Sequence, residues 1–346
     1  MIKQAVILLT VAAASCGSSS TGQPDASTGQ PDASSTSPSC IPAGAGRTDC
    51  GPNKESCCAS LAVPGGSYSR TFTNDGTGPT DEDDPATVSG FRLDKYLVTV
   101  GRFRQFVAAW NGGAGYTPLA GSGKHTYVNG GQGLVDDSGG SPVYEPGWNP
   151  SDDSNITLTD QNLVCDPSFA TWTSAPGSQE DLPINCVNWY EAYAFCIWDG
   201  GFLPSEAEFE YAAAAGSEQR EYPWGSTDPG TASQYAIFGC EHGGDGTSCT
   251  GLANLAPVGS ATMGAGRWGQ LDLSGEVSEW NLDLHATTFG NPCNDCASLA
   301  GGSGRVNRGG SYRSSASPYL QSFFRGDFLY ATDRTSSFGI RCGRTP

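Results

Sequence analysis

The sequence predicts an α+β fold, rich in loops, with short antiparallel strands and about three main helices. Three observations lead there. Gly at 48 and Pro at 22 of 346 positions interrupt the chain too often for long elements. Only three segments carry the apolar spacing of a convincing helix face. Short alternating runs, such as Arg305 to Tyr312 and Ser337 to Arg341, read as strands of a small twisted antiparallel sheet.

Residues 1–15 read as a signal peptide. Lys3 supplies the charge, Ala5 to Ala14 the apolar run, and Ala13-Ala14-Ser15-Cys16 a lipobox-like cleavage site. The run is far shorter than the roughly 20 residues a membrane-spanning helix needs, so the expected anchor is a lipid on Cys16. Ordinary signal cleavage without a lipid is the alternative. Residues 16–39 are dominated by Ser, Thr, Gly, Pro, Gln, Ala and Asp and contain TGQPDAS twice. Without apolar side chains to bury they cannot offset the entropy of ordering, which predicts a disordered tether. Residues 40–58 form a cysteine-rich segment. Adjacent Cys57 and Cys58 rarely bond each other, so two cross-bridges with Cys40 and Cys50 are expected, their connectivity open. Residues 59–346 are expected to fold as one domain, because no second low-complexity linker divides them.

Within that domain, a strand-like stretch from Gly90 to Val98 precedes a helix over Thr99 to Trp110, whose Phe103, Phe106, Val107 and Trp110 share one face. A second helix runs from an Asn188 cap to Trp198 and ends at Gly200-Gly201. A third starts at Ser205, where Ser205 and Glu208 have capping-box spacing, continues through an Ala-rich run to Ala215 and stops at Gly216.

The formal charge of −18 disfavours nucleic acid and anionic lipid head groups and makes divalent cations the more natural partners. Of thirteen cysteines, twelve remain once Cys16 is set aside, an even number suited to an oxidising compartment and up to six bridges. Export to the cell envelope, with the domain on an extracytoplasmic face, follows. Cys293 and Cys296 make a CxxC, a redox motif in some settings. Its loop of Asn, Pro, Asp and Gly favours a structural disulfide. Three further signals are set aside. Gly121-Ser122-Gly123-Lys124-His125 lacks the first Gly and the Ser or Thr of a phosphate loop. Asp81-Glu82-Asp83-Asp84-Pro85 reads as a solvated acidic loop. Ser311, Ser314 and Ser315 have no marked base.

Ordered blocks now carry a resemblance: Val63-Pro64-Gly65-Gly66-Ser67-Tyr68, Phe91 to Thr99, Cys186 to Cys196, Leu203 to Ala213, Tyr222-Pro223-Trp224-Gly225, Gly275 to Trp280, Arg308-Gly309-Gly310-Ser311-Tyr312 and Phe338 to Cys342. Together they make residues 59–346 resemble the formylglycine-generating-enzyme, or sulfatase-modifying-factor, family. The resemblance implies a variant of the C-type lectin fold with little regular secondary structure. Members that oxidise a sulfatase cysteine bind copper through two cysteines just after the Arg-Gly-Gly-Ser-Tyr block. The matching positions here are Ser314 and Tyr319, and the pocket aromatic before Glu279-Trp280 is Ser278. Hydroxyl and phenol do not replace thiolates as Cu(I) ligands, so no copper and no residue of the copper-dependent catalytic pair are expected. A further branch uses non-haem iron held in a separate His-rich domain. With only His125, His242 and His285 in the chain, and no facial-triad spacing, that route is closed.

The resemblance also implies a Ca²⁺ site with ligands Asp272, Glu279 and the carbonyls of Gly275 and Val277, against a plain reading in which the two carboxylates cap turns. It implies one disulfide, Cys196 with Cys342. Proximity in sequence then suggests Cys165 with Cys186, Cys240 with Cys249 and Cys293 with Cys296, although sequence does not fix connectivity. The functional expectation is an envelope lipoprotein whose calcium-stabilised module binds a peptide, glycan or protein and is not an enzyme. The competing expectation is an oxidase of the formylglycine-generating type, acting on a sulfatase cysteine or another small substrate.

Overall fold

Segments that carry their own caps fold as the sequence predicts in the computed structural model, which describes residues 37–326 and 328–346. The expected signal peptide, the lipidation site Cys16 and tether residues 16–36 lie outside the described residues. The chain enters through β1 (Ser60–Val63), then β2 (Gly66–Asn74) and β3 (Pro79–Val88), which pair as an antiparallel hairpin. On β2, Tyr68, Arg70, Phe72 and Asn74 turn inward while alternate residues face solvent. The acidic run is solvated as expected, but it lies on the outer half of β3, on strand backbone and not in a loop.

β4 (Phe91–Asp94) leads into α1 (Val100–Trp110), capped by the Thr99 hydroxyl, which accepts from the Arg102 N–H. After the short hairpin β5 (Val135–Asp136) and β6 (Val143–Tyr144) and the single turn α2 (Asp160–Leu163) come α3 (Trp189–Trp198) and α4 (Glu206–Ala213). Both carry full capping boxes, Asn188 with Glu191 and Ser205 with Glu208. α4 ends two residues before the predicted Ala215, which instead takes the left-handed conformation at φ 62 that starts the next turn.

The remaining strands are β7 (Ser278–Leu284), β8 (Cys293–Asn294), β9 (Arg305–Arg308), β10 (Phe338–Gly339) and β11 (Gly343–Arg344). They build sheets ordered β1-β4-β11, β10-β7-β9 and β2-β3-β8. β10 and β8 pair parallel with their neighbours, so two of these sheets are mixed where a purely antiparallel sheet is expected. Long connections return the chain alongside β7 and β3 in the same direction.

α1 and α3 pack through Phe103, Phe106, Phe195 and Trp198, and the same cluster takes in Trp280 of β7 and Ile340 after β10. Each such buried ring contributes on the order of 1.5–3 kcal/mol of transfer free energy. α4 sits between the β2–β3 hairpin and β7–β9, burying Phe209 and Tyr211 against Tyr68 and Phe91. Among the described residues the disulfides are Cys40–Cys58, Cys50–Cys57, Cys165–Cys186, Cys196–Cys342, Cys240–Cys249 and Cys293–Cys296.

Pro38–Cys40 form a tight 3-10 turn, so Ser37 to Ser39 belong to the folded body and not to the tether. Ser39 is fully buried: its N–H donates to Asp199 and its hydroxyl accepts from the Arg102 guanidinium. Arg102 also meets Asp94 and Asp199, and Arg344 meets the same two carboxylates, closing a buried four-charge ring. No helix among the described residues is long and apolar enough to cross a membrane.

Candidate functional site

β9 ends in Arg308-Gly309-Gly310, and both glycines are needed. Their φ values are 90° and 67°, and a Cβ would lie 2.8 Å from the Leu273 carbonyl or 2.6 Å from that of Tyr319. The turn swings the chain so that Ser314 and the 3-10 turn Ser317–Leu320 lie over the end of the β7–β9 sheet. Beneath them is a cavity of about 420 Å³. Ser278, Ser314 and Tyr319, distant in sequence, all line it, with Asn307, Thr335 and Ser337 adding polar groups and Phe324, Phe328 and Phe338 apolar walls. Tyr319 and Phe328 are 43% and 40% exposed and form an aromatic rim. The Ser314 hydroxyl accepts from the Ser311 N–H at 3.0 Å, which makes it the cap of its own turn.

Arg308 forms part of the cavity wall and is almost fully buried. It donates to the Phe324 carbonyl at 2.6 Å and pairs with Glu210 and, at 3.4 Å, with Glu206. Glu206 in turn holds Arg325 through both oxygens, at 2.7 and 2.8 Å. Burial raises Glu210 to about 8 against the pull of Arg308, and burial with the Glu206 charge raises Asp283 to about 7. Burial thus pushes the Glu210 and Asp283 carboxyls toward the neutral form. Glu206, Glu210 and Arg308 were legible only as parts of motif blocks, and Asp283 and Arg325 not at all, because their partners are distant in sequence.

No thiol faces the cavity: each of the twelve cysteines from Cys40 to Cys342 is in a disulfide. The site offers hydroxyls, an amide and aromatic faces, which suit hydrogen bonding and stacking.

Of the expected calcium ligands, Asp272, Gly275 and Val277 lie on the turn leading into β7 and Glu279 on β7 itself. Asp272, Gly275 and Glu276 have φ values of 59°, 86° and 63°. Asp272 is buried, accepts the Gly259 N–H at 2.6 Å, and burial raises it to about 6. Glu276, absent from the expected set, is held well above the carboxylate range by burial and by the Asp272 charge. Glu279 is committed elsewhere: Arg341 donates to both its oxygens at 2.9–3.1 Å. The donor set thus fits an ion in part, through Asp272, with Glu279 available only if shared with a guanidinium. Among the described residues no three His, Cys, Asp or Glu side chains form a ready metal cluster.

A buried charged triad went unread in the sequence. His125, fully buried, makes 2.9 Å and 3.0 Å contacts with Glu145 and Glu208 from its two ring nitrogens. Burial opposes its charge, but the two carboxylates outweigh burial and raise it to about 10, so the ring is an imidazolium donating on both sides. Glu208 is the capping-box residue of α4 and also accepts from Tyr127 at 2.6 Å.

Comparison with known proteins agrees with the resemblance. Residues 47–346 match the family model described as the sulfatase-modifying factor enzyme 1-like domain. A formylglycine-generating enzyme from Thermomonospora curvata is 29% identical over 275 residues, 73% of this chain and 82% of that protein. A Mus musculus protein named inactive C-alpha-formylglycine-generating enzyme 2 is also 29% identical, over 66% of this chain and 69% of its own. The solved structure of PvdO from Pseudomonas aeruginosa shares the fold at a TM-score of 0.53 and 19% identity, covering 88% of this chain and 97% of that one. The chain belongs to the sulfatase-modifying-factor, or formylglycine-generating-enzyme-like, family.

Proposed function

We propose that this protein is a non-copper member of its family that binds a peptide, glycan or protein ligand in the cavity under Ser314 and Tyr319. The observation that carries the reading is the lining itself: a hydroxyl and a phenol occupy the positions of the expected thiolate pair, and Ser278 opens the wall beside them. The relative named as inactive supports a family branch without the oxidase chemistry. Residues 1–15 act as the export signal, Cys16 takes the lipid, and residues 16–36 set the domain off an extracytoplasmic membrane face. The twelve paired cysteines support that compartment.

Incubating the purified domain with Cu(I), O₂ and a Cys-x-Pro-x-Arg peptide leaves the peptide mass unchanged on this reading. Conversion of its cysteine to formylglycine would establish the second reading, an oxidase, which the relatives named formylglycine-generating enzymes favour.

Calcium stabilisation is part of the proposal and is supported by Asp272, a buried carboxylate on the turn that also carries Gly275. EGTA is expected to lower the melting temperature of the wild-type domain, and Asp272→Ala to remove that dependence. A wild-type melting curve that EGTA leaves unmoved rejects the site.

A further inference from the structure

The Cys293–Cys296 bridge closes a separation of only 3 residues. Its Cys296 end lines a second cavity of about 300 Å³, separate from the one under Ser314. Arg70, itself only 5% exposed, lines the same cavity and directs Nη1 at the Cys296 sulfur from 3.7 Å. The rest of that guanidinium is fixed: Nε donates to the Asp84 carbonyl, and Nη2 to the Gly290 carbonyl and the Asn291 side chain. A buried cation held against one sulfur of a CxxC draws an incoming thiolate anion to that sulfur and stabilises the same sulfur when it later departs as a thiolate.

We infer that Cys293–Cys296 is an exchange-active disulfide that reacts with a small thiol admitted to the Arg70 cavity. The volume, at the lower end of ligand pockets, suits a low-molecular-weight thiol better than a protein segment. In the first step the incoming thiolate attacks the Cys296 sulfur, the Cys293–Cys296 bond breaks, and Cys293 leaves as a thiolate that takes up a proton. A second small thiolate then attacks the outer sulfur of the mixed disulfide and releases Cys296 as a thiolate paired with Arg70. The sum oxidises two small thiols to one small disulfide and reduces the protein pair. Two electrons pass from the thiols to the cysteines. Their two protons go to the cysteines or, where the Cys296 thiolate persists, to water.

Exposure alone predicts a different order of reactivity. Cys165 is exposed and Cys240 and Cys249 are half-buried, whereas Cys293 and Cys296 are 5% and 8% exposed. The test treats the native, fully oxidised protein with free cysteine, quenches with an alkylating agent at intervals, and locates modified cysteines by peptide mass. Cys293 and Cys296 are expected to be labelled first, ahead of the Cys165–Cys186 and Cys240–Cys249 pairs. Arg70→Met is expected to slow that labelling about tenfold or more, and Arg70→Lys, which keeps the charge, to slow it much less. Melting curves confirm that both variants are folded. Labelling in order of exposure, or equal rates in the Met and Lys variants, overturns the proposal.

Discussion

Replacing His125 by Leu is expected to destabilise the domain by about 3–5 kcal/mol, because it leaves two carboxylates buried without their shared cation. The denaturant midpoint in urea measures this. Glu145 and Glu208 contact opposite nitrogens of the ring, and Glu208 also fixes the N-terminus of α4 through the Ser205 N–H at 2.8 Å. Loss of the imidazolium therefore loosens the helix that underlies the Arg308 bed. If uncompensated charge is the cause, adding Glu145→Gln and Glu208→Gln to His125→Leu restores part of the loss. A triple variant no more stable than the single one places the effect in packing alone. The pH dependence has a fixed sign. His125 is raised from 6.5 to about 10 on folding, so its contribution is complete below about 6.5 and lost as pH rises through about 10. The stability gap between wild type and the Leu variant should narrow across that interval, and a gap that widens with pH would reject the charged form.

Removing the Cys196–Cys342 bridge by paired Ser substitution is the second large loss. The bridge joins the last turn of α3 to the segment before β11 across 146 residues. The chain-entropy model gives about 5 kcal/mol for a loop of that length, within reach of the usual 2–5 kcal/mol cost of losing a native bridge. Both cysteines are fully buried among Phe195, Leu203 and Ile340, so two hydroxyls in that core add to the loss. The same substitution at Cys293 and Cys296, which closes a separation of 3, should cost only about 1.5 kcal/mol by the same model. Equal losses from the two pairs would show that local strain, and not loop closure, governs these bridges.

What could be read beforehand follows the range of the interactions involved. Thr99, Asn188 with Glu191, and Ser205 with Glu208 fix α1, α3 and α4 with partners three residues away, and these helices lie where predicted. β7 was not foreseen because it is buried on both faces and includes Glu279 and Asp283, whose satisfaction comes from Arg341, Ser298 and the Glu206 N–H. Without those distant partners it does not read as a strand. The β2–β3 hairpin was missed for the opposite reason: Thr80 to Asp84 on β3 carry no apolar residue, which hid the pairing partner of the alternating Tyr68 and Phe72 on β2. Ser278, Ser314 and Tyr319 were identifiable because motif blocks frame them. His125 was not, since its carboxylates stand 20 and 83 residues away in sequence.

The packed turn at Ser37–Cys40 has a mechanical consequence. Tension on the chain ahead of Ser37 enters the body at Ser39, where Asp199 and Arg102 grip it, and passes one residue later into the Cys40–Cys58 bond. The load is therefore carried by a covalent loop closed on itself, and β1 begins beyond it at Ser60. A pull from that end would be shared by a buried ion ring and a bridge before it could peel a strand from a sheet.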